Sequence, residues 1–339
     1  MLRRSTRILS IDRDDPDPRL IDEAARVVLA GGLVAFATET VYGLGADATD
    51  PEAVDGIFEA KGRPAFNPLI VHADGVAMAR ACVASWPEPA RRLAERFWPG
   101  PLTLVLPRSG RIPDVVAAGR ATVGVRIPSG NVARRLIESV GRPIAAPSAN
   151  RSTGISPTLA SHVAKDLDGR IDLILDSGQT AVGLESTVVD LTQHPPRVLR
   201  PGPILAQDLA RAIGGLRADE ADDHRPTDRP ASPGRMAIHY APRTRSVRVE
   251  GPRQLADLDW PERAALVVVG SHVLPDLPAA SPHRFDLTTP EAAARDLYVA
   301  LHRCDALGLD LIVVVPPPDR PEWRAVRDRL WRATRPIQL

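Results

Sequence analysis

Of the 43 basic residues in this chain only two are lysines, Lys61 and Lys165. A composition that uses Arg wherever a cation will do marks a surviving Lys as a place where a compact ammonium is needed. Lys61 opens the run Lys61-Gly62-Arg63-Pro64-Ala65-Phe66-Asn67-Pro68-Leu69. Two cations where a helix gives way to a Gly/Pro loop suit an anionic ligand, although positive charge also stabilises a bare helix C-terminus. Arg126 interrupts the apolar run 122–127, and a buried guanidinium there needs a partner, either a substrate carboxylate or an internal Asp. Ser148, Asn150 and Ser156 follow a strand and precede a helix, where side chains and free amides meet phosphate oxygens; Ser156 also reads as a helix cap. Thr38, Thr40, Gly43 and Gly45 follow another apolar strand and allow close backbone approach to a ligand. His72 alone reads as a half-buried strand residue.

These groups are held by alternating elements. Short apolar runs predict strands at 7–11, 33–37, 69–73, 102–107, 122–127, 144–147, 173–176 and 186–191. Apolar residues at three- and four-residue spacing predict helices at 22–29, 51–60, 90–97, 132–140 and 159–165. That alternation describes an α/β domain over 1–215. The stretch 217–235, charged and rich in Pro and small residues, reads as a linker, within a connecting region 216–245. It ends in Ser232-Pro233-Gly234-Arg235-Met236-Ala237-Ile238-His239-Tyr240-Ala241-Pro242, a mixture that a free linker rarely carries unless it packs on something. Beyond it, strands at 264–270 and 311–316 with helices at 290–307 and 322–333 predict a small parallel α/β unit over 246–339.

Composition narrows the function classes. Hydrophobic residues at 44% and charged residues at 25% are ordinary globular values, and the formal net charge is +1, so nucleic-acid binding would need a local patch. Cys82 and Cys304 lie far apart, and no Cys/His cluster has zinc-ligand spacing, which leaves neither a disulfide framework nor a protein-held metal. No apolar run suits a signal peptide or a membrane span, so a cytoplasmic protein is expected. The familiar phosphate loop, dinucleotide fingerprint, nucleophile elbow and zinc-protease motif are all missing, so a bound nucleotide would need a different cradle.

In order along the chain, TETVYGLGAD, KGRP with NPL and His72, WPGPLT (98–103), VGVRIP, APSAN, SPT, GLESTVVD, Arg200-Pro201-Gly202 and HYAP resemble the YrdC family in its long, two-domain form, the L-threonylcarbamoyladenylate synthases. The resemblance runs from about residue 21 to 242. It implies an α/β fold, a twisted open mixed sheet with a concave, positively charged cavity, joined by a linker to a smaller Rossmann-like α/β domain. It also implies an activity: L-threonine, bicarbonate or CO2 and ATP give threonylcarbamoyl-AMP and pyrophosphate, with Mg2+ accompanying ATP. Separate transferase machinery then modifies the adenosine beside the tRNA anticodon.

Carried over motif by motif, Thr40, His72, Arg126, the Ala146 backbone and Ser186 are expected to hold threonine, with Arg126 on its carboxylate. Arg63, Asn67, Thr122, Ser148, Asn150, Ser156, Arg200 and Tyr240 are expected to hold ATP. Lys61 and Arg63 carry the catalytic expectation, beside the phosphates or the carbamate. The chain departs from the family at Ala37 (usually Pro), Gly130 (His-like), Thr153 (Gly) and Ser177 (Gly), and the Thr153-Gly154 order bears on the loop before Ser156. Two other readings stay open: a tRNA or double-stranded RNA binding module, and synthesis of a different carbamoyl adenylate, as in domains related to hydrogenase maturation.

Overall fold

The computed structural model describes residues 5–217, 239–277 and 283–337. Two sheets organise them. The first has ten strands: β1 (Arg7–Ser10), β2 (Val34–Ala37), β3 (Tyr42–Asp47), β4 (Ile70–His72), β5 (Leu102–Pro107), β6 (Thr122–Arg126), β7 (Ile144–Ala145), β8 (Leu173–Asp176), β9 (Thr187–Asp190) and β10 (Arg197–Arg200). Their spatial order is β1-β8-β2-β3-β7-β4-β6-β5-β9-β10. Parallel pairs such as β4 with β6 and antiparallel pairs such as β2 with β3 alternate irregularly, so the sheet is mixed, as the resemblance implies.

Helices α1 (Pro18–Leu29), α2 (Pro51–Lys61), α3 (Val76–Ala81), α4 (Glu88–Phe97), α5 (Asn131–Val140), α6 (Ala160–Leu167) and α7 (Ala206–Ile213) cover this sheet. Apolar positions on α1 and α5 bury against Val34, Phe36 and Leu175 on one face; α2, α4 and α6 bury against Leu44, Val71 and Leu104 on the other. The second sheet is wholly parallel: β11 (Ser246–Arg248), β12 (Ala264–Val269), β13 (His283–Leu287), β14 (Leu311–Val315) and β15 (Arg335–Pro336), in the order β13-β12-β14-β11-β15. Helices α8 (Pro290–Ala306) and α9 (Arg324–Ala333) lie on one of its faces.

Two local features place the site. Asp50 caps α2 by accepting from the Glu52 and Ala53 amides, and Gly62 ends the helix in the left-handed region (φ 60°). Lys61 is therefore the last helical residue, and Arg63 begins the loop. The segment 42–47, whose glycines read as a loop, is instead the fully buried strand β3. Its Gly45 is there for packing: a Cβ would stand 2.6 Å from Phe36 and 2.8 Å from Ile144. Strand β10 and helices α3 and α7 also go beyond the sequence expectation, as do β11, β13 and β15, all short or lacking alternation. The linker expected over 217–235 falls almost wholly outside the described residues. Among the described residues, no helix is long and apolar enough to cross a membrane.

Candidate active site

The ends of β3, β4 and β6, the loop after β7, the start of β9 and the end of β10 converge on one small cavity. It is lined by Thr40, Arg63, His72, Arg126, Ala146, Ser148, Ser186, Arg200 and Tyr240 from the expected set, together with Thr38, Glu185 and His239. The cavity holds about 40 Å3. Segments as far apart in sequence as 38–43 and 239–240 thus meet at one point.

The guanidinium of Arg126 is 4% exposed and makes three contacts. Nη2 meets the Glu39 carboxylate at 2.7 Å, Nη1 donates to Thr40 Oγ1 at 3.0 Å and Nε donates to the Gly100 carbonyl at 3.2 Å. Its internal partner is thus a Glu, not the Asp considered from sequence. A guanidinium has five N–H donors, so two remain for a ligand. Thr40 is further fixed by Thr38 Oγ1 at 2.8 Å. Across the cavity, Arg200 donates to the carbonyl and the hydroxyl of Ser186, both at 3.1 Å, and Thr103 Oγ1 lies 2.7 Å from the same hydroxyl.

Arg63 donates to the carbonyls of Asn67 and Pro68 at 3.1 and 2.8 Å. Burial, with Arg200 adding to it, pulls its pKa down to about 9 despite an opposing influence from Tyr240. A desolvated guanidinium held by neutral carbonyls is electrostatically unsatisfied, the condition that favours an anion. Lys61 differs from expectation. It is 1% exposed and does not line the cavity; its Nζ donates to the Ser148 carbonyl at 2.5 Å and to the Asn150 carbonyl. Burial and then Arg63 push its ammonium well below the usual lysine range. Lys61 therefore ties the end of α2 to the 148–150 loop, where Ser148 Oγ also donates to Asn150 Oδ1 at 2.6 Å.

Four other expected residues, Asn67, Asn150, Ser156 and Thr122, also stand outside the lining. Asn67 is fully buried beneath Arg63. Ser156 does not cap α6; Leu159 holds that position, and Ser156 Oγ donates to Glu185 Oε1 at 2.5 Å. Thr122 starts β6, four residues before Arg126, about 13 Å away by strand rise.

Three buried polar atoms on the lining have no hydrogen-bond partner among the described residues: His72 Nδ1, His239 Nδ1 and the Tyr240 hydroxyl. Native proteins leave few such atoms, and three around one cavity mark a place built for a ligand. Burial, reinforced by Arg126, holds the His72 imidazole down to about 3, and burial does the same for His239, so both are neutral. Burial first, then Glu185, pushes the Tyr240 phenol up to about 12.

His239 and Glu185 were quoted from the sequence within motifs but given no role. Glu185 is the hub between the two sheets. It accepts from Ser156, from the Tyr298 hydroxyl at 3.1 and 3.2 Å, and from Arg329 Nε at 2.8 Å. Burial pushes its carboxyl up, but Arg329, Arg200 and these hydrogen bonds outweigh that and hold it below the usual range. Fully buried Arg329 also donates to the Pro201 carbonyl at 2.7 Å and lies over the Tyr240 ring at 5.4 Å, while Tyr298 stacks on Tyr240 at 5.8 Å. Tyr240 itself has φ 62°, an uncommon conformation for a bulky side chain, kept by this clasp. Tyr298 and Arg329 could be found in the sequence only as apolar-face interruptions on helices of the second unit.

Cations and hydroxyls thus surround a small cavity on a mixed sheet, with a second parallel unit clasped against it, the arrangement of an α/β protein whose site suits an anion. Residues 26–202 match the family model for Sua5, YciO and YrdC, described as "Telomere recombination", and residues 204–334 match "Threonylcarbamoyl-AMP synthase, C-terminal domain". The chain is 44% identical over 315 residues to the threonylcarbamoyl-AMP synthase of Pyrococcus abyssi, covering 92% of this chain and 93% of that protein. It is 40% identical over 326 residues to the one of Bacillus subtilis, covering 94% and 93%. The crystal structure of P. abyssi Sua5 complexed with L-threonine superposes with a TM-score of 0.87 at 41% identity, covering 97% and 99% of the two chains. E. coli YciO gives 0.53 at 26% identity over 58% of this chain and 96% of its own. The chain belongs to the Sua5/YciO/YrdC family, in the form that carries the threonylcarbamoyl-AMP synthase C-terminal domain.

Proposed function

We propose that this protein is a threonylcarbamoyl-AMP synthase, joining L-threonine, bicarbonate or CO2 and ATP with release of pyrophosphate. The observation that carries the reading is a cavity bearing Arg63, Arg126 and Arg200 together with three unpartnered polar atoms, in a chain similar along nearly its whole length to synthases of that name. The threonine amine takes up CO2 and loses a proton to become a carbamate. A carbamate oxygen attacks the α-phosphorus of ATP, a P–O bond to the β-phosphate breaks, and pyrophosphate carries the charge away. No covalent nucleophile is required, so catalysis is positioning plus stabilisation of anionic oxygens.

In this reading the two spare donors of Arg126 take the threonine carboxylate, with Thr40, His72, Ser186 and the Ala146 backbone around the rest. Arg63, Ser148, Arg200 and Tyr240 face the nucleotide. Lys61, Asn67, Asn150 and Ser156 act from behind by fixing the groups that touch it, and Thr122 becomes a contact only where the nucleotide extends along β6. Glu185, the cavity-lining carboxylate, is already engaged by Ser156, Tyr298 and Arg329, so Mg2+ would arrive with the phosphates of ATP and be held by them and by water.

A cavity of about 40 Å3 is far too small for ATP, so the nucleotide enters only when lining residues move. Tyr240 and His239, at the end of the 216–245 region, are the natural moving part, a lid that keeps water from a labile carbamate and adenylate. The residues just before them, 231–238, lie outside the described residues. The domain division that goes with this reading is a catalytic unit over 1–215, the lid-bearing connection, and a C-terminal unit over 246–339 that seats the lid. The product suits modification of the adenosine beside the tRNA anticodon by separate transferase machinery in the cytoplasm.

The test is pyrophosphate release from Mg2+ and ATP by purified protein, with threonine and bicarbonate omitted in turn. Release that needs both, and that falls at least 100-fold in Arg63→Met, is the expected result. ATP cleavage indifferent to threonine, or no release beside a salt-sensitive tRNA shift, would overturn it.

A further inference from the structure

The C-terminal unit has a cavity of its own that shares no lining residue with the site above. It holds about 450 Å3, within the range of small-molecule pockets. It sits where an open parallel sheet concentrates ligand binding. Strands β11 and β14 are neighbours, yet the chain leaves them toward opposite faces. After β11 it runs beneath the face formed by Val247, Leu255, Leu266 and Val313; after β14 it turns to α9 on the face formed by Val267, Ile312, Val314 and Leu330. Diverging connections at the carboxyl ends of adjacent parallel strands open a crevice, and the segments 248–252 and 316–319 that line the cavity are those connections.

Two guanidinium groups are fixed side by side in the crevice. The guanidinium groups of Arg248 and Arg327 lie over one ring, that of Trp331, at 4.9 and 4.4 Å. Arg248 donates to the Thr334 carbonyl at 2.6 Å and has no carboxylate partner; burial alone pulls its pKa down. Arg327 donates to the Pro317 carbonyl at 2.7 Å and meets Asp319 at 3.3 Å, but that carboxylate is 87% exposed and offsets little. Glu250 also lines the crevice, so two carboxylates face the two guanidinium groups; both are exposed to water, whereas the guanidinium groups are held side by side over the ring. Pro252, Pro316, Pro318 and Pro336 add rigid, apolar wall with no backbone N–H of its own.

We propose that this crevice is a second ligand site, taking a small organic anion, a phosphate monoester or carboxylate on a flat or apolar body, with the acid group between Arg248 and Arg327. Guanidinium forks suit either acid, and the proline wall suits the body.

The experiment is calorimetric titration of the full-length protein with phenyl phosphate, benzoate and, as a charge control, benzylamine. Saturable binding of phenyl phosphate or benzoate, but not of benzylamine, is expected. Whichever acid binds more tightly identifies the natural acid group. Affinity should fall about tenfold or more in Arg248→Met and in Arg327→Met, and stay within about twofold in Arg63→Met. Should Arg248→Met lose its cooperative melt, Arg327→Met and Arg248→Lys decide. No saturable binding of either acid, or binding lost in Arg63→Met and retained in the Arg248 and Arg327 variants, would overturn the assignment. Pyrophosphate release by Arg248→Met without added ligand should match wild type, which separates failure of this site from failure of the synthase reading.

Discussion

At the scale of single residues, a guanidinium on a buried strand needs an opposite charge or neutral acceptors beside it, because it has no neutral form to retreat to. Arg126 on an apolar strand had to find a partner, and it finds Glu39 at 2.7 Å. Removing the guanidinium in Arg126→Met leaves the largely buried Glu39 carboxylate with the Ser129 amide but no cation, which should cost about 3 kcal/mol of stability, the lower end for a broken buried pair. Chemical denaturation would show that loss, and threonine-dependent pyrophosphate release should disappear even at temperatures where the variant stays folded. Lys61 was legible as special, yet its scarcity could not say that it faces two carbonyls instead of a ligand. Thr153 is a departure with a cost that can be measured. It stands at φ 69°, where a β-branched residue is strained, and its carbonyl accepts from the Ala241 amide at 3.1 Å. Left-handed backbone costs a side chain about 1–2 kcal/mol, while glycine gives back about 0.5–1 kcal/mol in unfolded-chain entropy. Thr153→Gly should therefore stabilise the protein by about 0.5–1 kcal/mol, visible as a higher melting temperature, with the 148–156 loop otherwise unchanged.

At the scale of elements, the strands with strong apolar runs were readable and those built for packing were not. Strand β5, with Leu102, Leu104 and Leu106 all buried, announces itself; β3 does not, because its glycines exist to let Phe36 and Ile144 approach. Strand β10 is legible only as the Arg200 motif, and β15, two residues long, leaves no periodic signal. The clasp between the sheets lay beyond reading because it joins residues 113 and 144 apart in sequence: Tyr298 and Arg329, both to Glu185. This clasp makes α8 and α9 parts of the active-site wall. Tyr298→Phe removes one donor to a buried carboxylate and should cost about 1–2 kcal/mol. Tyr298→Phe keeps its ring on Tyr240 but loosens the Glu185–Arg329 clasp that seats it, so the apparent KM for ATP should fall several-fold while kcat changes less. Arg329→Met should be far more disruptive, taking the cation from buried Glu185 and leaving Asp328 to Arg332. Steady-state kinetics and melting curves on the two variants check both statements, and an unchanged KM in Tyr298→Phe would refute the link.

At the scale of the whole molecule, buried imidazoles make the assembly sensitive to acid. His162 on α6 stacks on His302 on α8 with ring centroids 3.7 Å apart, across the junction of the two units. Burial holds His162 down to about 3 and His302 to about 4, while His72 and His239 also stay near 3. Free imidazoles take up protons below about pH 6.5, so between there and pH 4 the unfolded chain binds protons that the folded one refuses. Stability is thus complete above pH 6.5 and falls as the pH drops, by up to about 1.4 kcal/mol per pH unit for each such group. Denaturation midpoints between pH 7 and 5 should show this slope, and His302→Asn should lessen it by about one proton. The tightly filled cavity beneath Tyr240 bears on affinity as well. A protein that admits nucleotide only from a minor open population has an apparent Kd larger than the intrinsic one by the inverse of that population. If about one molecule in a hundred is open, the apparent affinity is about 2.7 kcal/mol weaker than the contacts would provide. Substitutions that loosen the seat of Tyr240 can then tighten the first encounter with ATP while making the adenylate easier to lose, so binding and retention will respond in opposite directions to the same change.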